Sequence, residues 1–511
     1  MDNIYVYKDF NNIETFFIVS EEGIIPVNYD KNKTENNVIP LNINQFEIKH
    51  GNTDSYISMR KPDISITLRD FYDKIGISKF EDSFKINNIS EYLIAIDYYR
   101  FISFLIHLEV IIKSDESEKY IDLYNKCEEA FERTYNKSIE EIENSIKVEY
   151  GKIVSEAAKD RSNIDILRAI SIYNAGGGFC FYRGVGHIYY KEAPGIFRNN
   201  NEYEESRWYR SMKQSYQKDL DSIHYLDRIA MLQHFDLPTR LLDVTSNPLV
   251  ALYMAVNNIY VKDDLNQCDY GEVIIYFDEL VDNKTYDSNS VLALAALVKL
   301  QYKQKKILRD FLKRIDKSID DHKYYGRKAE KLRKAVNYCI HLSCKHRDCN
   351  YRFNKQERNI LKKSFGVNTI TCPEELFTRV LKLGDKRKII KEYNDFIDVY
   401  FKLLSTIRRE NSAFADNLDV FMLNKAFHVT VGMTNERMRV QSGSFIICGL
   451  DKNYINSSMK SSRNNCNIKR MIITNKKHIY QQLNSLNIND MTMFPDMAHQ
   501  SSYLIKQKFN K

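Results

Sequence analysis

Residues 226–256, LDRIAMLQHFDLPTRLLDVTSNPLVALYMAV, restrict the fold more than any other stretch. They read as helix, turn, strand, turn and helix. Leu226, Ile229, Met231 and Leu232 give one buried face to a helix ending near His234. Leu237-Pro238 stops it, since proline restricts the preceding residue and lacks an N–H. Arg240–Val244 is a short apolar strand. Thr245-Ser246-Asn247-Pro248 opens the next helix, with polar side chains to cap free N–H groups and proline in the first turn. Any fold must therefore lay a strand between two packed helices.

Packing does not explain Gln233, His234, Thr239, Arg240, Asp243, Thr245 and Ser246. Unpaired polar groups in an apolar frame are costly. Either these residues form a structural network or they line a site, and the residues alone leave both open. Arg240 and Asp243 lie on opposite faces of an extended segment, so they should find separate partners, Glu205 or Glu410 for Arg240.

Elsewhere, residues 1–86 are strand-rich, with TFFIVS (15–20), SYISM (55–59) and an Asn/Lys-rich loop at 30–37. Residues 90–113, 115–154 and 163–178 read as helices, the last ended by Gly176, Gly177 and Gly178 as a left-handed cap. FCFYRGV (179–185) is a strand, 206–235 is helical throughout, and GEVIIYFDEL (271–280) is a strong strand. An apolar helix spans 289–300. Residues 301–400 are helical and basic, with charge runs that read as solvated faces. SFIICGL (444–450) and KRMIITN (469–475) are strands, and 478–486 is a helix. The expected fold is α+β: a mixed or antiparallel core sheet with many surrounding helices. Expected segments are an N-terminal accessory region at 1–86, a helical segment at 87–178, core residues 179–300, a basic helical insertion at 301–400 and a closing part at 401–511.

Over 511 residues a net charge of +7 is a mild bias and does not argue for a nucleic-acid partner. The opening MDNIYVYKDF lacks a secretory pattern, and nine scattered cysteines fit reduced thiols. Asp97, Arg100, His107 and Glu109 interrupt the most apolar stretch. A cytoplasmic protein with no membrane partner is expected. Cys339, His341, Cys344, His346, Cys349 and Cys372 cluster, but their spacing is not that of paired zinc ligands, so no metal is expected. No P-loop, HExxH, G-x-S-x-G or dinucleotide fingerprint is present.

A set of motifs resembles the FRG domain, a family named for a Phe/Tyr-Arg-Gly motif. FYRGVG (181–186), APGIFRN (193–199), Glu204-Glu205 and the block 232–255 occur in the family's order. SVLALAALVKL (290–300), RRENSAF (408–414), TNERMRVQSGSF (434–445) and MTMFPDM (491–497) follow. The order of Arg183, Thr245-Ser246 and Gln441 is also similar to the Arg, Ser-Thr-Ser, Glu signature of ADP-ribosyltransferases. That likeness implies a cleft for NAD or a related nucleotide, with Arg183, Thr245, Ser246 and Gln441 as catalytic candidates. Tyr182, Gly184, Arg198, His234, Arg240 and Asp243 are binding candidates, with Arg437 as a further cation.

The residue types suit the chemistry. An arginine or strand-end amides can hold a diphosphate. A carboxylate on the third strand would stabilise an oxocarbenium-like transition state. Gln441 stands there instead and adds no charge. ADP-ribosyl transfer, NAD hydrolysis and binding without turnover therefore stay open, with Glu436 and Glu410 as substitute carboxylates, beside the structural alternative that Arg183 pairs with Asp243 to hold two strands together. The resemblance implies a macromolecular acceptor or partner protein and service in bacterial stress or phage defence. The alternative is a non-catalytic recognition module whose polar block is structural and whose basic 301–400 stretch contacts a protein or nucleic acid.

Overall fold

The computed structural model describes seven short strands between residues 4 and 67, then residues 84–115, 139–159, 164–175, 180–187, 193–221, 223–257, 270–277, 283–321, 327–346, 351–367, 370–381, 386–409, 418–429, 436–451 and 468–497, with isolated positions beside them. The strands before residue 68 form one sheet of four and one of three, as the β-type runs there predict. The caps at 176–178, much of 115–138, Cys349 and Glu410 lie outside the described residues.

The main sheet has eight strands, numbered along the chain: β1 Phe84–Ile86, β2 Cys180–Val185, β3 Leu241–Thr245, β4 Gly271–Phe277, β5 Asn283–Lys284, β6 Ala426–Val429, β7 Gly443–Cys448 and β8 Ile468–Ile473. Their spatial order is β5-β6-β7-β3-β2-β4-β8-β1. The two edge pairings, β5 with β6 and β1 with β8, are parallel and the others antiparallel. The sheet is therefore mixed, within the expected α+β class. Phe84–Ile86 belongs to this sheet, not to the accessory region expected to end at residue 86. AFHV, short and without alternation, is a strand not singled out from the sequence.

The helices fall into two sets. On one half lie α1 (Ile89–Asp115), α2 (Ile139–Lys159) and α3 (Ile164–Asn174). The span 206–235 is not one helix. It breaks into α4 (Glu205–Ser215), α5 (Gln217–Asp221) and α6 (Tyr225–His234). Tyr216 leaves helical geometry (φ −123°, ψ 42°) and His224 is extended (φ −64°, ψ 160°), which lets Tyr209, Leu220 and Leu226 all reach one core. Tertiary packing overrides local propensity here. α7 (Pro248–Val256) follows β3, capped by Asn247 Oδ1 accepting from Leu249 N at 3.0 Å. α8 (Asn289–Ala296) leads into the basic region, which is helical as expected: α9 (Tyr302–Asp321), α10 (Arg327–His346), α11 (Lys355–Phe365), α12 (Pro373–Leu381) and α13 (Lys386–Arg408). α14 (Glu436–Val440), α15 (Lys476–Ser485) and α16 (Asp490–Met493) close the chain.

The two halves of the sheet rest on different cores. Side chains of β3, β6 and β7 (Leu241, Phe427, Val429, Phe445, Ile447) pack with α4–α6 and α8–α13. Side chains of β1, β2, β4 and β8 (Ile86, Tyr182, Val273, Ile275, Met471) pack with α1–α3, α7 and α15. On the opposite face a small cluster of Leu242, Val244, Ile274, Tyr276 and Ile446 is covered by Ala193, Ile196 and Phe197. β4, buried along its whole length, suits the unbroken apolar run GEVIIYF.

Close approach of α7 explains the glycine of the Arg-Gly pair. A Cβ on Gly184 would sit 1.8 Å from Ala251 O, and one on Gly271 would sit 2.2 Å from Ala255 O. Gly184→Ala must push α7 off β2. It should cost roughly 2–4 kcal/mol of stability, measured by urea unfolding, and wild-type stability in that variant would contradict the packing described.

Candidate functional site

β2 and β3 share a single register pair, Tyr182 with Thr245, whereas β2 and β4 pair along six positions from Val185–Glu272 to Cys180–Phe277. Beyond Tyr182 the two strands part. On β3, Cys448 N donates to Arg240 O and Ser246 N donates to Ser442 O, so the even-numbered positions bond to β7. Leu241, Asp243 and Thr245 therefore direct their backbone groups towards β2. Where a strand partner is lacking, Arg183 takes its place: Nη1 donates to Asp243 O at 2.6 Å.

The parted strands open a cavity of about 1150 Å³. Its walls come from β2, β3, the start of β7, α6, α7 and α14, with Gly195 and Arg198 on the covering segment. Its floor is largely apolar, including Met231, Val250, Met254 and Phe445. Cationic groups at the lining are Arg183, Arg198 and Arg437. Arg183 is largely buried, its side chain 15% exposed, and its buried Nε has no hydrogen-bond partner among the described residues. Arg198 Nε donates to Ala193 O at 2.9 Å, and Arg437 lies over the Phe494 ring at 4.6 Å.

Of the residues singled out from the sequence, Tyr182, Arg183, Gly184, Arg198, His234, Asp243, Thr245 and Gln441 line this cavity. Thr245 Oγ1 is engaged in the scaffold. It donates to Gln441 O at 2.7 Å and accepts from Asn247 N at 3.0 Å, tying the end of β3 to the turn before β7. In that turn Ser442 holds a left-handed φ of 46°. Gln441 Nε2 donates to Met493 O at 2.9 Å, which fixes its amide against α16. Burial first, then Arg437, keeps the His234 imidazole below its ordinary pKa. Glu436 also lines the cavity, as does Asp227, which sequence reasoning passed over; burial raises the Asp227 carboxyl above the usual range. Its only sequence signal is an acid on the face of α6 that carries Met231 and His234.

Two residues do not join them. Ser246 is exposed and does not line the cavity. Its position just past the end of β3 turns it outward. Arg240, a binding candidate, is 2% exposed and also lies outside the lining. Nη2 donates to Glu205 Oε2 at 2.6 Å and Nη1 to Gly449 O at 2.8 Å. Lys305 of the basic run bonds the same carboxylate, so it is buried and not on a solvated face. Burial pushes the Glu205 carboxyl up, but Arg240 and Lys305 outweigh it and hold it below its ordinary value. This is a structural network, and of the two expected partners the arginine takes Glu205.

Of the cysteine cluster, Cys339 and Cys344 are buried, burial raises the Cys339 thiol, His341 Nε2 meets Leu418 O at 2.7 Å and His346 stacks on Tyr351. Among the described residues no three His, Cys, Asp or Glu side chains are grouped to hold a metal. Among them, too, no helix is long and apolar enough to cross a membrane.

A family comparison agrees with this strand-and-pocket core. The FRG domain model matches residues 179–264, and the chain carries an FRG domain. No curated protein and no solved structure matches the chain. The matched part contains β2, α4–α7 and β3. The wall built by Glu436–Phe445 lies outside it, so the cavity is completed by sequence far along the chain.

Two stability outcomes follow from buried charge. Glu205→Gln leaves Arg240 and Lys305 without an anion and should cost about 3–5 kcal/mol; a loss below about 1 kcal/mol in urea unfolding would contradict the network. Buried His428 on β6 stacks on Phe181 and bonds Ser444 Oγ through Nε2 at 2.9 Å. Burial pushes its pKa down from 6.5 to about 4. Between those values only the unfolded chain takes up the proton, so stability falls as pH drops through that window, by up to about 3 kcal/mol. His428→Gln should flatten this slope when unfolding is compared at pH 7 and pH 5, and an unchanged slope would assign it elsewhere.

Proposed function

We propose that this FRG domain binds NAD or a related nucleotide in the cavity between β2 and β3 and cleaves the nicotinamide–ribose bond, passing ADP-ribose to water or to a macromolecular acceptor. The carrying observation is that Arg183, the Thr245 turn and Gln441, far apart in sequence, line one open cavity. Its volume of about 1150 Å³ exceeds the roughly 300–1,000 Å³ of sites for drug-sized ligands, which leaves room for a dinucleotide.

Each wall has a part in this reading. Arg183 lines the cavity, and its guanidinium suits a phosphate oxygen. The apolar floor accepts rings. Gln441, held by Met493, orients a ribose hydroxyl through its carbonyl oxygen. An NAD-consuming activity also suits a part in bacterial stress or phage defence.

A second reading, binding without turnover, is favoured by one observation: a neutral amide occupies the position where the related signature has a carboxylate. NAD consumption by the purified protein separates the two. The wild type should consume NAD, and Arg183→Ala should lower the rate by about 100-fold while the protein stays folded. An unchanged NAD pool at high protein concentration would overturn cleavage. Equal rates for the two proteins would overturn the assignment of Arg183.

A further inference from the structure

We infer that Asp243 supplies the negative charge that Gln441 cannot, acting as the catalytic carboxylate of the cavity. This rests on the proposed cleavage of NAD. Five carboxylates line the cavity: Asp219, Asp227, Asp236, Asp243 and Glu436. Glu436 lies on the short helix α14, off the strands, and pairs with Arg439 at 3.5 Å. Asp236 sits in the left-handed turn after α6, at φ 64°. Asp227 lies on α6, off the strands. Asp219 lies on the short helix α5, off the strands. Asp243 alone stands on a strand that borders the gap, with Oδ2 3.9 Å from Arg183 Nη1 and its side chain 67% exposed.

A directed chain of hydrogen bonds holds it there. Leu241 N donates to Thr239 Oγ1 at 3.1 Å, so that hydroxyl is free to give its proton to Gln233 Oε1, to which it is bonded. The Gln233 amide is thereby fixed with Nε2 towards Asp243, donating to Oδ1 at 2.7 Å. One carboxylate oxygen is anchored and the other faces the cavity beside Arg183. This gives Gln233 and Thr239, polar residues that packing alone does not explain, a positioning role.

In the reaction the bond from ribose C1 to the nicotinamide nitrogen breaks, and its electron pair leaves on that nitrogen, which becomes neutral. Positive charge grows on C1 and the ring oxygen, and the Asp243 carboxylate stabilises it. A water oxygen bonds to C1, and its proton passes to Asp243 and on to solvent. The products are nicotinamide, ADP-ribose and one proton.

The test pairs ADP-ribose binding by calorimetry with NAD turnover for the full chain. Asp243→Asn keeps the shape and an acceptor for Gln233 and removes only the charge. It should bind ADP-ribose within about twofold of wild type and lose about 100-fold or more in turnover. Gln233→Leu should lose about tenfold in turnover with binding kept. Asp243→Glu, which restores the charge one methylene away, should exceed the Asn variant and guards against a variant that merely misfolds. Turnover by Asp243→Asn within about threefold of wild type would overturn the assignment and leave NAD cleavage standing. Parallel loss of binding and turnover would make Asp243 a binding contact and also overturn it. A wild type that neither binds ADP-ribose nor consumes NAD would overturn both readings together.

Discussion

The architecture turns on the seam between β2 and β3. A sheet gains from continuous pairing, yet these neighbours share one register pair and then diverge. The cause is visible in the packing. On one face β3 rests on the core built by α4–α6 and α8–α13, while β2 rests on that of α1–α3 and α7. α7 begins beside β3 and crosses to lie on β2 and β4, where two glycines let its backbone approach. Strands pulled to different cores cannot stay paired, and the gap is the cavity. Backbone groups left facing a gap need partners, and the Arg183 side chain meets one of them.

Two arginines of the FRG region illustrate how similar residues divide between roles. Arg240 is sealed with Glu205 and Lys305, where removing the anion would leave two buried cations. That network joins α4, the start of β3 and α9, and so ties the basic helices to the core. Arg183 instead borders the gap, where it donates to Asp243 O and lines the cavity. Burial alone would not separate them, since both are shielded. The separation comes from what each guanidinium meets.

Much of this was legible from residue order. The 226–256 block gave its helix, strand and capped helix nearly to the residue, because apolar period, Pro238 and Asn247 are local signals. The FRG motifs fall on β2 and β3, two walls of the cavity. What failed was non-local. The break at Tyr216 carries no proline or glycine, and only the need to bury Leu220 and Leu226 in one core explains it. Ser246 reads like its neighbour Thr245 but falls past the strand end and faces outward. Lys305 looks like one more solvated lysine until Glu205, a hundred positions earlier, is brought against it. The relay through Gln233 to Asp243 likewise needs the fold, because it joins a helix to a strand across a proline turn.

The most direct check on the seam is an experimental structure of the protein with ADP-ribose. The diphosphate should lie between the parted ends of β2 and β3, within hydrogen-bond distance of the Arg183 guanidinium, with the ribose near Asp243 and Gln441. Strands β2 and β3 found paired along their length, or the ligand bound elsewhere on the surface, would contradict it.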